Sequence, residues 1–342
     1  MKLNIKYLAV LLAACFIVFS CTTDNEPFEE EEGNNNPPNT ATTTFGIRHD
    51  KALSEYEAIA ANPTNTMPSF EAVVMFEYSL DGSTNREFVG TGTLISPNWI
   101  LTAGHNFFSS DEQTNPAPVS GIIVNIGNDP NNPQQIINVK RLVFHPSWLV
   151  DDNLFASGND LCLVELETSI TNITPAPLFT SANEAIGSTV WYSGFGDYSE
   201  TAGQNPDNFS KKHAIENVLD RKISGITSVA NNITYSGGLL AFDFDSPDGN
   251  SNTLGDTTVN QDEQLLGSGT SNASPKTYEG ATVQGDSGGP LFVKDGSTWK
   301  VAGVLSGGAE APVNNHKDSS YGDISIFIRV STASDWIQSE IN

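Results

Sequence analysis

The chain has 342 residues, 38% of them hydrophobic and 17% charged, which gives about two domains with enough apolar material for a sizeable core. Its 41 acidic residues against 16 basic ones leave a formal net charge of −25. A surface of that sign is repelled by phosphate backbones, which excludes general nucleic-acid binding. Three cysteines, two of them within the first 21 residues, cannot build a disulfide framework.

The N-terminus reads as an export signal. Lys2 and Lys6 precede an apolar run from Leu8 to Phe19 that is too short to cross a bilayer as a helix. The run ends in Val18-Phe19-Ser20-Cys21, which resembles the lipobox of bacterial lipoproteins, with Cys21 as the lipidated residue. Leu12-Ala13-Ala14-Cys15 is a competing match, and an ordinary secretory signal with incidental cysteines is the alternative. In either case the protein is expected outside the cytoplasm, in the cell envelope or secreted, with any membrane contact made through the lipid. Residues 21–44 carry six acids and no base, then Asn, Pro and Thr runs. Such a segment cannot bury enough apolar surface to fold, and reads as a tether. The remainder is still strongly acidic.

Lys51 to Ala61 has helical spacing and stops at Asn62-Pro63. After it come short β-branched and aromatic runs punctuated by Gly, Pro, Asn and Asp: Val73–Tyr78, Phe88–Ile95, Ile122–Ile126, Ile136–Phe144, Leu161–Leu166, Thr189–Tyr192, Leu291–Lys294, Lys300–Leu305 and Ile324–Val330. This spacing predicts an all-β barrel or sandwich. A last helix, capped by Ser331 or Thr332, carries Trp336, Ile337 and Ile341. Residues 197–280, rich in Asn, Ser, Asp and Gly, read as surface loops.

Three segments carry chemistry. In Gly285-Asp286-Ser287-Gly288-Gly289-Pro290 the glycines let the backbone turn sharply, so that the amides of Gly285 and Ser287 can share one concavity and hold an oxyanion. Thr102-Ala103-Gly104-His105 places a histidine at the end of the strand-like Trp99–Leu101, where it can act as a base near neutral pH. Asn159-Asp160-Leu161 opens an apolar strand with a carboxylate that must be hydrogen-bonded if buried. Gly285-x-Ser287-x-Gly289 also fits the nucleophile elbow of α/β-hydrolases. That enzyme type needs its acid and histidine after the serine, and the 55 residues that follow Ser287 have no room for the required units.

These segments resemble the trypsin/chymotrypsin family of serine proteases over roughly residues 67–342. Gly90 to His105 resembles the approach to the family histidine. His145-Pro146-Ser147-Trp148 with Asn159-Asp160-Leu161 resembles the approach to its aspartate. Ser193-Gly194-Phe195-Gly196, Val301 to Gly308 and the Trp336-Ile337 helix also match in order, and Ile47-Arg48-His49-Asp50 resembles exported bacterial members. The resemblance implies two six-stranded antiparallel barrels, over residues 67–185 and 186–342, with a C-terminal helix and with residues 45–66 as an N-terminal or pro-segment. It implies a serine endopeptidase acting on protein or peptide substrate, with Ser287 as nucleophile, His105 as base and then acid, and Asp160 fixing the imidazole. Ser306 would support Asp160, while Ser306 and Gly308 pair with the substrate backbone. The chain is expected to work as a monomer, with no cofactor and no metal. A protease-fold binding module or adhesin without turnover is the alternative.

The resemblance also implies departures. Ala281 stands at the floor of the specificity pocket in place of an acid, with Thr282 beside it and Ser325 at the second floor position. A shift of two residues would put Asp323 there. Leu305 stands where glutamyl-specific relatives have histidine, so the pocket points to small or apolar side chains. Many members release an Ile or Val N-terminus that pairs with the aspartate before the nucleophile, here Asp286, and Ile47 is the nearest residue able to supply one. His49, His145, His213 and His316 read as structural or solvated, and Asp243, Asp245, Asp248 and Asn250 as a solvated acidic loop whose spacing departs from an EF-hand.

Overall fold

The computed structural model describes residues 46–108, 115–148, 158–199, 210–223, 226–227, 234–235, 237–255, 269–309 and 318–342. The lipobox at Cys21, its competitor at Cys15, the acidic tether and His316 lie outside them. Among the described residues no helix is long and apolar enough to cross a membrane.

Helix α1 (Leu53–Ala61) is followed by six strands, β1 (Val73–Tyr78), β2 (Phe88–Ser96), β3 (Trp99–Thr102), β4 (Ile122–Ile126), β5 (Gln135–Phe144) and β6 (Cys162–Leu166). They close in the order β1-β2-β3-β6-β5-β4 as an antiparallel barrel, β1 pairing with both β2 and β4. Closure leaves no unpaired edge. Its inward residues, Val74, Phe76, Leu94, Ile100, Val124 and Val164 among them, are buried, as the β-branched and aromatic runs require.

The second half holds β7 (Thr189–Gly194), β8 (His213–Val218), β9 (Arg221–Ile223), β10 (Ile226–Thr227), β11 (Thr234–Tyr235), β12 (Leu239–Asp243), β13 (Pro290–Asp295), β14 (Thr298–Ala309) and β15 (Ile324–Arg329). Seven of these form one sheet in the order β8-β7-β13-β14-β15-β12-β9, while β10 and β11 make a separate pair. The expected second six-stranded barrel is thus a seven-stranded half-barrel, and a bend explains the extra strand. Its two edges, β8 and β9, are consecutive in the chain. The Leu219 amide bonds back to Ser188 on the β7 side, and the next amide, Asp220, bonds to Ala241 in β12. One bent segment therefore serves both edges.

Residues 197–280, expected as surface loops, supply β8 to β12, and their buried side chains include His213, Asn217, Arg221, Leu240 and Phe242. Asp243 and Asp245 are buried too, contrary to the expected solvated loop, whereas Asp248 and Asn250 are at the surface. The C-terminal helix α2 (Ser334–Ile341) starts after Ala333 and has no side-chain cap. Ser331 and Thr332 lie in the preceding 3-10 turn with their hydroxyls spent on Glu184 and on the Arg329 carbonyl, which is why neither caps it. Helix α1 packs on β8, so the segment ahead of the first barrel is docked on the second sheet.

Candidate active site

His105 follows β3 and begins a 3-10 turn, Gly104 at its N-cap. A Cβ on Gly104 would meet the Trp148 indole at 2.8 Å and Asp160 Oδ1 at 3.1 Å. The next amide, that of His105, donates to Asp160 Oδ1 at 2.8 Å. Asp160 has no exposed surface, and such a carboxylate must be surrounded by donors. Its Oδ2 lies 2.6 Å from His105 Nδ1 and accepts the Ser306 hydroxyl from β14 at 2.6 Å. Two donors on one oxygen and one on the other hold the carboxylate in a single orientation.

The other imidazole nitrogen, Nε2, lies 2.8 Å from Ser287 Oγ. Ser287 sits in a turn whose flanking glycines have positive φ, 93° at Gly285 and 86° at Gly288. These left-handed angles suit glycine alone. The Asp286 amide bonds to the Val283 carbonyl at 3.0 Å and the Gly289 amide to the Asp286 carbonyl at 2.8 Å. The first barrel grips the turn from the other side. The Thr91 amide and Asn106 Nδ2 donate to the Ser287 carbonyl at 2.8 and 2.9 Å, and Thr91 Oγ1 donates to the Gly285 carbonyl at 3.0 Å.

The pocket residues expected from sequence also come together. Thr282 donates through its amide and its hydroxyl to Ser325 Oγ at 3.2 and 3.0 Å, beside buried Ala281. Ser325 pairs across the sheet with Gly308. Asp323 lies just ahead of β15, its carbonyl accepting the Phe244 amide at 2.9 Å.

Sequence reasoning missed several residues that shape the site. Thr91 and Asn106 carry no motif of their own, because their partners are backbone carbonyls more than 180 residues away. Tyr198 was also missed, and His213, read as structural or solvated, proves to lie within 3.4 Å of Asp286.

A serine, an imidazole and a buried carboxylate in hydrogen-bonded series, between a closed barrel and a barrel-like sheet, define the chymotrypsin-like fold class. The family model described as Trypsin matches residues 69–337, most of the chain, and the protein belongs to that family. Among curated proteins it is similar to urokinase-type plasminogen activator of Gallus gallus, 21% identical over 75% of this chain and 51% of that protein. It is also similar to transmembrane protease serine 5 of Homo sapiens, 24% identical over 72% of this chain and 45% of that protein. The chain spans about half the length of these relatives.

Proposed function

We propose that the protein is an exported serine endopeptidase that hydrolyses peptide bonds through an acyl-enzyme. The observation that carries this reading is the continuous contact from Ser287 Oγ through His105 to Asp160, at 2.8 and 2.6 Å. His105 takes the proton as Ser287 attacks the scissile carbonyl, then passes it to the leaving amine. A water then repeats the sequence in reverse to release the acid. Asp160 keeps the Nδ1 proton in place and stabilises the imidazolium. The Gly285 and Ser287 amides hold the developing oxyanion. Ser306 and Gly308, on strand β14, present backbone groups to an extended substrate.

Ala281, Thr282, Ser325 and Gly308 form a substrate pocket without a floor carboxylate, which suits a small or apolar side chain better than Arg or Lys. The enzyme works as a monomer on protein or peptide and its chemistry draws on no cofactor. The export signal and lipobox support a place in the cell envelope, anchored through Cys21. The test is intact mass after treatment with a serine-directed phosphonate. One adduct, mapped to Ser287 and absent from Ser287→Ala along with peptidase activity, is expected. Full activity in Ser287→Ala would sink the reading.

A further inference from the structure

Asp286, immediately before the candidate nucleophile, is as completely enclosed as Asp160. Groups of the chain itself surround it. The Gly196 amide donates to Oδ1 at 2.9 Å, and the Val283 amide and the Tyr198 hydroxyl donate to Oδ2 at 3.0 and 2.6 Å. His213 Nε2 lies 3.4 Å from Oδ1, within ion-pair reach without forming a hydrogen bond. Three donors satisfy the buried carboxylate. The role that family resemblance would give to a released Ile47 ammonium is therefore already filled. Burial and the adjacent Asp286 push the Tyr198 phenol well above its ordinary range, so it stays a donor at any working pH.

Gly46 lies close against Tyr198. It has φ of +77°, and a Cβ there would lie 2.5 Å from Val283 Cγ1 and 2.7 Å from the Tyr198 ring. Its amide donates to the Ser319 carbonyl at 2.7 Å, and its carbonyl accepts the Ala281 amide at 3.1 Å. Ser319 Oγ in turn donates to the Thr282 carbonyl at 3.2 Å. Ile47 continues this strap as a bridge to Gly280 and is fully buried. The backbone of residues 46 and 47 thus ties together the segments that carry Ala281, Thr282 and Ser319, and at Gly46 it runs beside the tyrosine that donates to Asp286.

We propose that an internal lock, Gly46 seating Tyr198 on Asp286, sets the oxyanion turn, so that the protein is catalytically competent with the Gly46–Ile47 peptide bond intact. The proposal rests on the peptidase reading above. Cutting that bond would detach the Gly46 carbonyl from the chain that continues through Ile47 and loosen the brace on Tyr198.

The test is to label the exported chain with a fluorophosphonate and determine the intact mass and N-terminal sequence of the labelled molecules. Amide hydrolysis is measured before and after α-amine-selective acetylation. Label on chains that retain Gly46, with activity changed by less than about twofold on acetylation, is the expected result. Label confined to chains beginning at Ile47, or activity lost on acetylation, overturns the lock. Failure to label either form sinks the peptidase reading instead. Tyr198→Phe should lower kcat about 10- to 100-fold, the usual consequence of leaving a buried charged acceptor short of a donor, with KM changed by less than about threefold. Gly46→Ala should do the same. A Tyr198→Phe enzyme with normal kcat per titrated site and only a lower Tm would make Tyr198 a packing residue and overturn the lock. The groups facing Asp286 are Tyr192, Asp197, Tyr198 and His213, and burial together with Asp286 pushes Asp197 up to about 7. Hence kcat/KM should stay level through about pH 8 to 9, where an α-ammonium would titrate. A fall there also overturns the lock.

Discussion

The Ser306 hydroxyl donates to the same Asp160 oxygen that faces His105 Nδ1, each at 2.6 Å. Ser306 belongs to β14 of the second sheet, and Asp160 leads into β6 of the first barrel. The carboxylate is thus oriented from both sides of the cleft. Removing this donor leaves one charged acceptor underserved, an effect of roughly 1.5 to 3 kcal/mol. Ser306→Ala should fold normally and lose about ten- to a hundredfold in kcat/KM, measured on a peptide amide. Asp160→Asn, which upsets the imidazole tautomer, should lose about four orders of magnitude in kcat.

Gly288 is where the serine turn touches the first barrel. A Cβ there would lie 2.0 Å from Thr102 Oγ1 and 2.3 Å from the Thr91 carbonyl, on a backbone with φ of +86°. Both contacts are rigid, because the Thr102 hydroxyl is itself bonded to that carbonyl. Gly288→Ala should therefore keep near-native far-UV circular dichroism while the fraction of titratable active sites collapses.

Arg329 and Glu184 form a buried, two-pronged ion pair, Nε to Oε1 at 2.7 Å and Nη2 to Oε2, with Ser331 Oγ adding a bond at 2.8 Å. Removing one partner strands the other charge, at a cost of about 3 to 5 kcal/mol. Glu184→Gln should lower the unfolding free energy by that order in urea. Replacing both partners with apolar residues should recover most of it, and phosphonate labelling of the folded fraction should be unchanged.

Stability should fall as pH rises from 5 to 7. Burial pushes the Asp220, Asp243, Asp245 and Glu279 carboxyls up, Glu279 to about 8, and the acids reinforce one another at Asp220 and Asp245. Groups with raised folded values keep protons that the unfolded chain has already lost above about pH 4. The folded state binds more protons, so the slope of stability against pH is negative until those values are passed. Lys212, lowered to about 7 by burial, contributes the opposite slope only above that pH. Thermal melts at pH 5, 6 and 7 check this, and Asp245→Asn with Glu279→Gln should flatten the trend.

The strands most legible in the sequence were those whose apolar runs are bounded by turn residues. Val73–Tyr78 and Ile122–Ile126 form strands over the expected residues. The arrangement of His105, Asp160 and Ser287 was also legible, because each sits in a local motif at a strand end or tight turn. The second sheet was harder to read. In β8 and β9, Asn217 and Arg221 are buried polar residues whose partners are distant, Asn217 Nδ2 bonding to the carbonyls of Asp243 and Gly280 and Arg221 Nη2 to that of Leu254. Composition marks such stretches as loops, since it cannot register tertiary hydrogen bonds that make polar residues tolerable inside. The same blindness hid Tyr198, which lies 88 residues from the carboxylate it serves.

The closed barrel and the seven-stranded sheet share no strand, yet two contacts central to the site, Ser287 to His105 and Ser306 to Asp160, cross from one to the other. A hydrogen bond weakens steeply beyond about 3.2 Å, so a slip of an ångström between the halves would break the proton path while leaving every β-ladder intact. Catalysis is then the most sensitive strain gauge the molecule carries. Under denaturant, turnover should vanish before either half melts, reporting the alignment of two bodies and not the integrity of either.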